Sequence, residues 1–301
     1  MNMIPGRTAI ESKGWFTAHK WLVLRRTSQL SILFVFLLGP WFGIWIVKGN
    51  LASSLTLEFL PLTDPYVLLQ SFFAGHGIAS TAIIGGLIVT GFYLLVGGRT
   101  YCSWVCPVNM VTDAANWLRR HLDIKGGARF TRKTRYWLLG LTLFLALLSG
   151  TIAWELINPV SILHRGLIFG MGFGWAIIAT IFLFDLFVSR HGWCGHLCPV
   201  GAFYSLLTIP GLLRVNALDR KKCDDCMDCY VVCPEQQVIS PALKGADKGM
   251  GPVILSANCT NCGRCIDVCA KQVFHFGTRF TKQQNFKNTH QSLTSNEEAT
   301  S

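Results

Sequence analysis

Four runs, residues 27–47, 72–96, 136–156 and 167–189, each approach or exceed the ~20 apolar residues that cross a bilayer as a helix. Four such lengths in a chain of 301 residues predict a membrane bundle rather than the core helices of a soluble protein. The charge content agrees: 14% of the residues are Asp, Glu, Lys or Arg, against about 25% in soluble domains. The first run, LSILFVFLLGPWFGIWIV, carries Trp41 and Trp45 near its far end, where interfacial tryptophans sit. Its Pro40 is tolerated in a membrane helix. Gly166, Gly170 and Gly174, at i, i+4 and i+8, predict a small-residue face for close helix approach. The apolar content of 51% excludes a disordered chain.

The basic residues choose an orientation. Lys and Arg number five in residues 1–26, one in 48–71, eight in 97–135, one in 157–166 and twelve after the last run. This alternation is a positive-inside pattern, so both termini are expected in the cytoplasm of a multi-pass inner-membrane protein. The same pattern accounts for the net charge of +11 without nucleic acid as a partner. Arg25 and Arg26 before an apolar run also resemble a twin-arginine export signal, but they suit a cytoplasmic anchor equally well.

Twelve cysteines fall in four clusters. Cys223-x2-Cys226-x2-Cys229-x3-Cys233-Pro234 and Cys259-x2-Cys262-x2-Cys265-x3-Cys269 repeat the bacterial run for a [4Fe–4S] cluster. A tight turn offers thiolates to three corners of a cubane, and the fourth comes from the other run. The expected sets are therefore Cys223, Cys226, Cys229 and Cys269 for one cluster, and Cys233, Cys259, Cys262 and Cys265 for the other. Zinc sites more often use two separated C-x2-C pairs, and disulfides do not suit a reducing compartment. Ala270 stands where the second proline of the pattern would be.

The other four cysteines are Cys102-x3-Cys106-Pro107 and Cys194-x3-Cys198-Pro199, directly after the second and fourth apolar runs. The two pairs make residues 27–110 and 136–202 copies of one unit: span, loop, span, C-x3-C-P. A spacing of i, i+4 predicts both thiols of a pair on one helix face. Two readings stay open. Four thiolates suit a third Fe–S cluster or another thiophilic metal, and reduced cysteines also pack as small hydrophobes. No C-x-x-C-H is present for covalent haem.

With these motifs in place, the chain resembles the NapH-type membrane subunits of quinol dehydrogenases that serve periplasmic nitrate reductase. Gly39-Pro40-Trp41-Phe42-Gly43, Ser103-Trp104-Val105-Cys106-Pro107, Ala115-Asn116-Trp117-Leu118-Arg119-Arg120 and His191-Gly192-Trp193-Cys194-Gly195-His196 carry the resemblance. It implies electron transfer from ubiquinol toward the nitrate reductase, a periplasmic ferredoxin-type (NapG-type) partner and a tetrahaem cytochrome. The rival is an assembly, maturation or regulatory polyferredoxin for a respiratory metalloenzyme.

The expected fold is an all-α membrane bundle of four transmembrane helices with a two-fold internal repeat, plus a small α+β two-cluster ferredoxin-like domain. The expected segments are 1–26, a cytoplasmic N-terminal segment; 27–110, the first unit; 111–135, a basic loop; 136–202, the second unit; 203–213, a linker; 214–281, the ferredoxin-like domain; and 282–301, a flexible tail. Quinol oxidation releases protons, which makes His76, Asp185 and His196 candidates for a quinol site. Asp185 stands out because a carboxylate within an apolar run is costly, and such acids are functional by default. His196 sits at i+2 from Cys194, off the face of the cysteines, which favours a supporting role. Glu155 and His164 are expected on the side that His76 shares, away from the cysteines.

Overall fold

The computed structural model describes residues 5–124, 126–128, 130–170 and 172–281. The expected tail, 282–301, lies outside them. The chain forms two compact units. One joins the residues up to Leu22 with those from Gly211 on, and the other runs from Val23 to Pro210. Most of the expected N-terminal segment, up to Leu22, thus groups with the ferredoxin-like residues.

Helices α1 (Arg7–Lys13) and α2 (Trp15–Ala18) pack on the ferredoxin-like part of the first unit. Gly6 N donates to Asp228 Oδ2 at 2.8 Å, and Lys13 Nζ donates to the carbonyls of Ile266 and Cys269. Helix α3 (Lys20–Phe42) starts under Asp267, whose carboxylate accepts from the N–H groups of Trp21 at 3.1 Å and Leu22 at 2.9 Å. These are two of the orphan donors of a helix N-terminus, so Asp267 caps α3 from far along the chain.

α3 is the one described helix long and apolar enough to cross a membrane, by length and composition. The other expected spans are broken. Residues 72–96 divide between α4 (Pro65–Phe73) and α5 (Ser80–Val96), with Gly75 turning the chain at φ 73°. After α5 come α6 (Thr100–Trp104) and α7 (Val108–His121), then α8 (Thr134–Ser149). Residues 167–189 divide between α9 (Pro159–Phe169) and α10 (Gly174–Leu183), and the helix then widens to a π turn over Phe184–Val188. Gly166, Gly170 and Gly174 therefore do not form one stripe. Gly170 ends α9 at φ 92°, and Gly174 opens α10, where an added Cβ would lie 2.8 Å from Ile162 Cγ2. Helix α11 (Pro199–Thr208) closes the unit.

The 48–71 segment, expected to be a small loop, is built. Strands β1 (Val47–Gly49), β2 (Ser53–Thr56) and β3 (Leu60–Thr63) form an antiparallel meander with Lys48 opposite Leu55 and Leu55 opposite Pro61. β3 packs on α5 at Gly85, where a Cβ would lie 3.0 Å from the Pro61 carbonyl oxygen. The internal repeat is present and deeper than the cysteines suggested. α4 and α9 both follow a capping residue with Pro in the first turn. Asp64 caps Tyr66 N at 2.9 Å and Asn158 caps Val160 N at 3.1 Å. The halves interleave: α7 packs on α10, and α11 packs on α5 and α8. At one crossing a Cβ on Gly98 would lie 2.1 Å from the Tyr204 carbonyl oxygen.

In the ferredoxin-like unit, β4 (Leu213–Asn216) pairs antiparallel with β5 (His275–Thr278), Leu213 opposite Thr278. Between them lie α12 (Asp228–Val232), α13 (Ile239–Lys244) and α14 (Arg264–Val268). Val215, Val238, Ile239, Ile254, Val273 and Phe274 form its core.

Replacing Asp267 by Ala removes both acceptors at the start of α3. The expected cost is about 0.5–2 kcal/mol, the usual worth of an N-cap. Hydrogen exchange should show Trp21 and Leu22 amides losing protection while the β4–β5 pair keeps its own.

Candidate iron–sulfur sites

Each ferredoxin-like cysteine run bends into a tight turn and then a five-residue helix. Met227 and Gly263, both left-handed at φ 63° and 72°, open α12 and α14 at matching places. Gly263 is also approached closely by Trp21, at 2.6 Å from an added Cβ. Two cavities result. Cys223, Cys226, Cys229 and Cys269 are among the residues that line one. Cys233, Cys259, Cys262 and Cys265 are among those that line the other. The structure thus brings together the two sets expected from spacing, each with its fourth cysteine from the other run. Among the described residues no three His, Cys, Asp or Glu side chains stand at the spacing of a single metal ion. The unbroken C-x2-C-x2-C-x3-C runs that supply these thiols fit a multi-iron cluster better than zinc. Burial pushes the Cys229 thiol up to about 12, so cluster binding must displace its proton.

The four remaining cysteines also converge, in the helical unit. Cys102, Cys106 and Cys198 pack against one core of Tyr66, Tyr93, Tyr101 and Tyr204. The Cys194 thiol lies 3.8 Å from Thr112 Oγ1. It is also within electrostatic reach of the other three cysteines. The pairs do not lie along one helix face, as i, i+4 spacing had predicted. Cys102 is in α6, whereas Cys106 lies beyond its end, and Cys194 is in a π turn over Trp193–Leu197. Cys198 caps α11, its sulfur accepting from Gly201 N at 3.5 Å. In both repeats the second cysteine N–H reaches five residues back, Cys106 to Tyr101 O at 3.0 Å and Cys198 to Trp193 O at 2.9 Å. The proline that follows cannot continue the helix behind it, and this widens the turn.

Buried polar side chains hold these turns. Gln29 on α3 donates to the carbonyls of Ser103 and Cys106, each at 3.1 Å. Arg135 on α8 donates to Gly195 O, the repeat equivalent of Ser103 O, at 3.4 Å. Arg99 crosses between the repeats, with Nη2 on Cys194 O at 3.3 Å and a side-chain hydrogen bond to the Cys102 thiol. Two buried guanidinium groups beside four thiols suit thiolates bound to a metal centre.

The candidate quinol-site residues do not gather. His76 is exposed in the turn between α4 and α5. Asp185 is fully buried beside the cysteine turns, not free in the apolar layer. It accepts from Trp193 N at 2.9 Å and from Asn116 Nδ2 at 3.3 Å, so it fixes the turn that carries Cys194. Arg119 secures the preceding π turn, Phe184–Val188, through the carbonyls of Asp185 and Leu186. The His196 ring lies 6.4 Å from that of Phe130. Arg25 and Arg26 both pair with Asp113 of α7, as suits an anchored helix. Sequence reasoning missed Gln29, Arg99 and Arg135 as turn holders. It also missed Asp64 and Asn158, although Asp64-Pro65 and Asn158-Pro159 repeat close to the cysteine interval.

Comparison with known proteins agrees with these groupings. A family of 4Fe-4S binding domains matches residues 78–125 and 171–216, and a family of 4Fe-4S dicluster domains matches residues 222–273. The ferredoxin-type protein NapH of Escherichia coli is 50% identical over 92% of this chain and 96% of its own length. The methylamine utilization ferredoxin-type protein MauN of Paracoccus denitrificans is 54% identical over 90% of this chain and 95% of its own. The putative electron transport protein YccM of Escherichia coli is 25% identical over 88% of the chain. No solved structure matches.

Asp185→Ala takes the side-chain acceptor from the Trp193 N–H, while the Asn116 amide keeps the Thr112 carbonyl at 2.7 Å. A loss of about 1–3 kcal/mol is expected from an unsatisfied buried donor. Asp185→Asn keeps an acceptor and should lose less. Thermal unfolding of the purified protein in detergent measures both.

Proposed function

We propose, from the premise that the chain belongs to the family of ferredoxin-type proteins represented by NapH and MauN, that it is a multi-pass membrane subunit passing electrons from ubiquinol toward a periplasmic nitrate reductase. The coarser part is a property of the family: this is an iron–sulfur, ferredoxin-type electron-transfer protein. The observation that carries the finer reading is the grouping of all twelve cysteines into three sets of four, one of them inside an apolar helical unit.

In this reading Cys223, Cys226, Cys229 and Cys269 hold one [4Fe–4S] cluster. Cys233, Cys259, Cys262 and Cys265 hold a second. Cys102, Cys106, Cys194 and Cys198 hold a third metal centre. When bound, these groups supply one-electron transfer at fixed positions. Gln29, Arg99 and Arg135 orient the cysteine turns, and the two arginines balance the charge of the thiolates. His76 and His196 remain the proton-accepting candidates among the three named from sequence.

Apolar side chains exposed on the longer helices of the unit support a lipid-facing surface. Phe34, Leu87, Trp137 and Leu147 are examples, and Phe173, just before α10, is 96% exposed. The positive-inside pattern supports cytoplasmic termini. The resemblance adds a NapG-type ferredoxin partner in the periplasm and a tetrahaem cytochrome.

A second reading has its own support. MauN proteins are named for methylamine utilization, and the match to one of them is 54%. The chain would then serve another respiratory metalloenzyme, as electron donor or as a maturation factor. Quinol-dependent reduction of the purified clusters favours electron transfer. Absence of reduction, with partner maturation lost on deletion, favours maturation.

Two outcomes are expected. Electron paramagnetic resonance of the reduced protein should lose one cluster signal in Cys226→Ser and another in Cys262→Ser, each variant keeping the rest. About eight irons per chain are expected from the ferredoxin-like runs alone, and more if the Cys102 set is loaded. Loss of every signal from one substitution would instead report failed folding. For topology, alkaline phosphatase inserted within residues 48–56 should be active and a fusion after Ser301 inactive. The reverse pattern would place the clusters in the periplasm.

A further inference from the structure

Across a layer of tyrosines from the cysteines of the helical unit lies a carboxylate that the proposed electron path has not used. Asp64 sits at the head of α4. Tyr204 Oη on α11 donates to its Oδ1 at 3.1 Å, and Tyr66 N donates to the same oxygen at 2.9 Å. Four of the six tyrosines of the chain gather here. Tyr101 and Tyr204 stack with ring centroids 4.6 Å apart, and Tyr93 meets Tyr204 at 5.0 Å. The cluster that holds Tyr66, Tyr93, Tyr101 and Tyr204 also packs Cys102, Cys106 and Cys198.

The internal repeat supplies a control. α9 has the same architecture as α4, with Pro159 in its first turn, yet its cap is the amide of Asn158. An amide therefore does the capping work, and the ionisable carboxyl at position 64 is not needed for it. Around Asp64 the titratable groups are Tyr66 on α4, Tyr93 on α5, Tyr101 on α6, Tyr204 on α11 and Glu155 in the turn after α8. All are neutral or negative when they ionise, and Glu155 is close enough for its charge to disfavour a second negative charge at Asp64. Burial is the larger influence, and the Asp64 carboxyl is pushed up to about 6.

We infer that Asp64 is the redox-linked proton site of the four-cysteine centre, taking up a proton from water when that centre gains an electron. The inference rests on the reading of Cys102, Cys106, Cys194 and Cys198 as metal ligands. The balance is simple. A reductant, a hydroquinone in the reaction or dithionite in the test, gives one electron to the centre. One proton joins the carboxylate of Asp64 to form the neutral acid. An added electron nearby raises the affinity of a half-buried carboxylate for a proton, and linkage requires the converse. Protonated Asp64 makes the centre easier to reduce. Glu155 shares hydrogen bonds with Asn158 and Ser161 and offers the next protonatable group beyond Asp64.

The test is a potentiometric titration of the full-length protein in lipid nanodiscs, followed by electron paramagnetic resonance across about pH 5 to 8, the range that brackets the raised carboxyl. In the wild type the potential of the third centre should fall as pH rises through and above the Asp64 pKa. Asp64→Asn keeps the cap and mimics the neutral acid. Its potential should be flat with pH and lie near the low-pH value of the wild type. Tyr204→Phe removes a donor that favours the carboxylate, so the pH-dependent region should move upward. The two ferredoxin-like clusters serve as internal controls and should not respond. A third signal with a flat profile in the wild type, or an unchanged slope in Asp64→Asn, overturns the inference alone. An iron count of about eight with no third signal overturns the metal reading and the inference with it.

Discussion

Buried side chains from other elements reach the carbonyl groups of the cysteine turns and hold the helical unit in its form. Gln29 binds the Ser103 and Cys106 carbonyls from α3, and Arg135 binds the Gly195 carbonyl from α8. Arg99 ties the first repeat to the second through Cys194 O. A buried carbonyl left unpaired costs about 1–3 kcal/mol, so these contacts are a condition for burying the turns. Because each turn carries its cysteines, the same contacts decide where four sulfurs meet.

The interleaving of the repeats follows from close approach. α11 crosses the end of α5 at Gly98, where no larger residue leaves room for the Tyr204 carbonyl. The crossing brings Tyr204 to Asp64 and to the rings of Tyr93 and Tyr101. Polar groups otherwise costly in an apolar unit are then mutually satisfied. Asp185 plays the matching part in the second repeat, accepting the Trp193 N–H and the Asn116 amide.

The ferredoxin-like unit depends on a different constraint. A short two-run domain has little core of its own, here Val215, Val238, Ile239, Ile254, Val273 and Phe274 with a few small neighbours. Helices α1 and α2 add to it, and Asp228 and Asp267 each accept backbone N–H groups from that N-terminal segment. Both acids lie beside cysteines, so attachment of the N-terminal segment and shape of the cluster turns are linked.

The sequence alone determined the cysteine sets of the ferredoxin-like unit, because ligand spacing along a tight turn is a local property and the exchange of the fourth cysteine follows from it. It also determined the duplication, through the recurring C-x3-C-P, and the family, through motifs such as His191-Gly192-Trp193-Cys194-Gly195-His196. It did not determine where apolar runs break. Residues 72–96 and 167–189 are continuous in hydropathy, whereas glycines at positive φ divide them. Nor could it say that Asp185 serves a turn, that the cysteine pairs straddle helix breaks, or that Arg99 reaches the second repeat. Those partners lie 95 residues away for Arg99 and Cys194, and 69 for Asn116 and Asp185. Hydrophobic period and motif spacing report on neighbours along the chain. Hydrogen bonds across a buried crossing depend on how two helices meet, and only the tertiary structure fixes that.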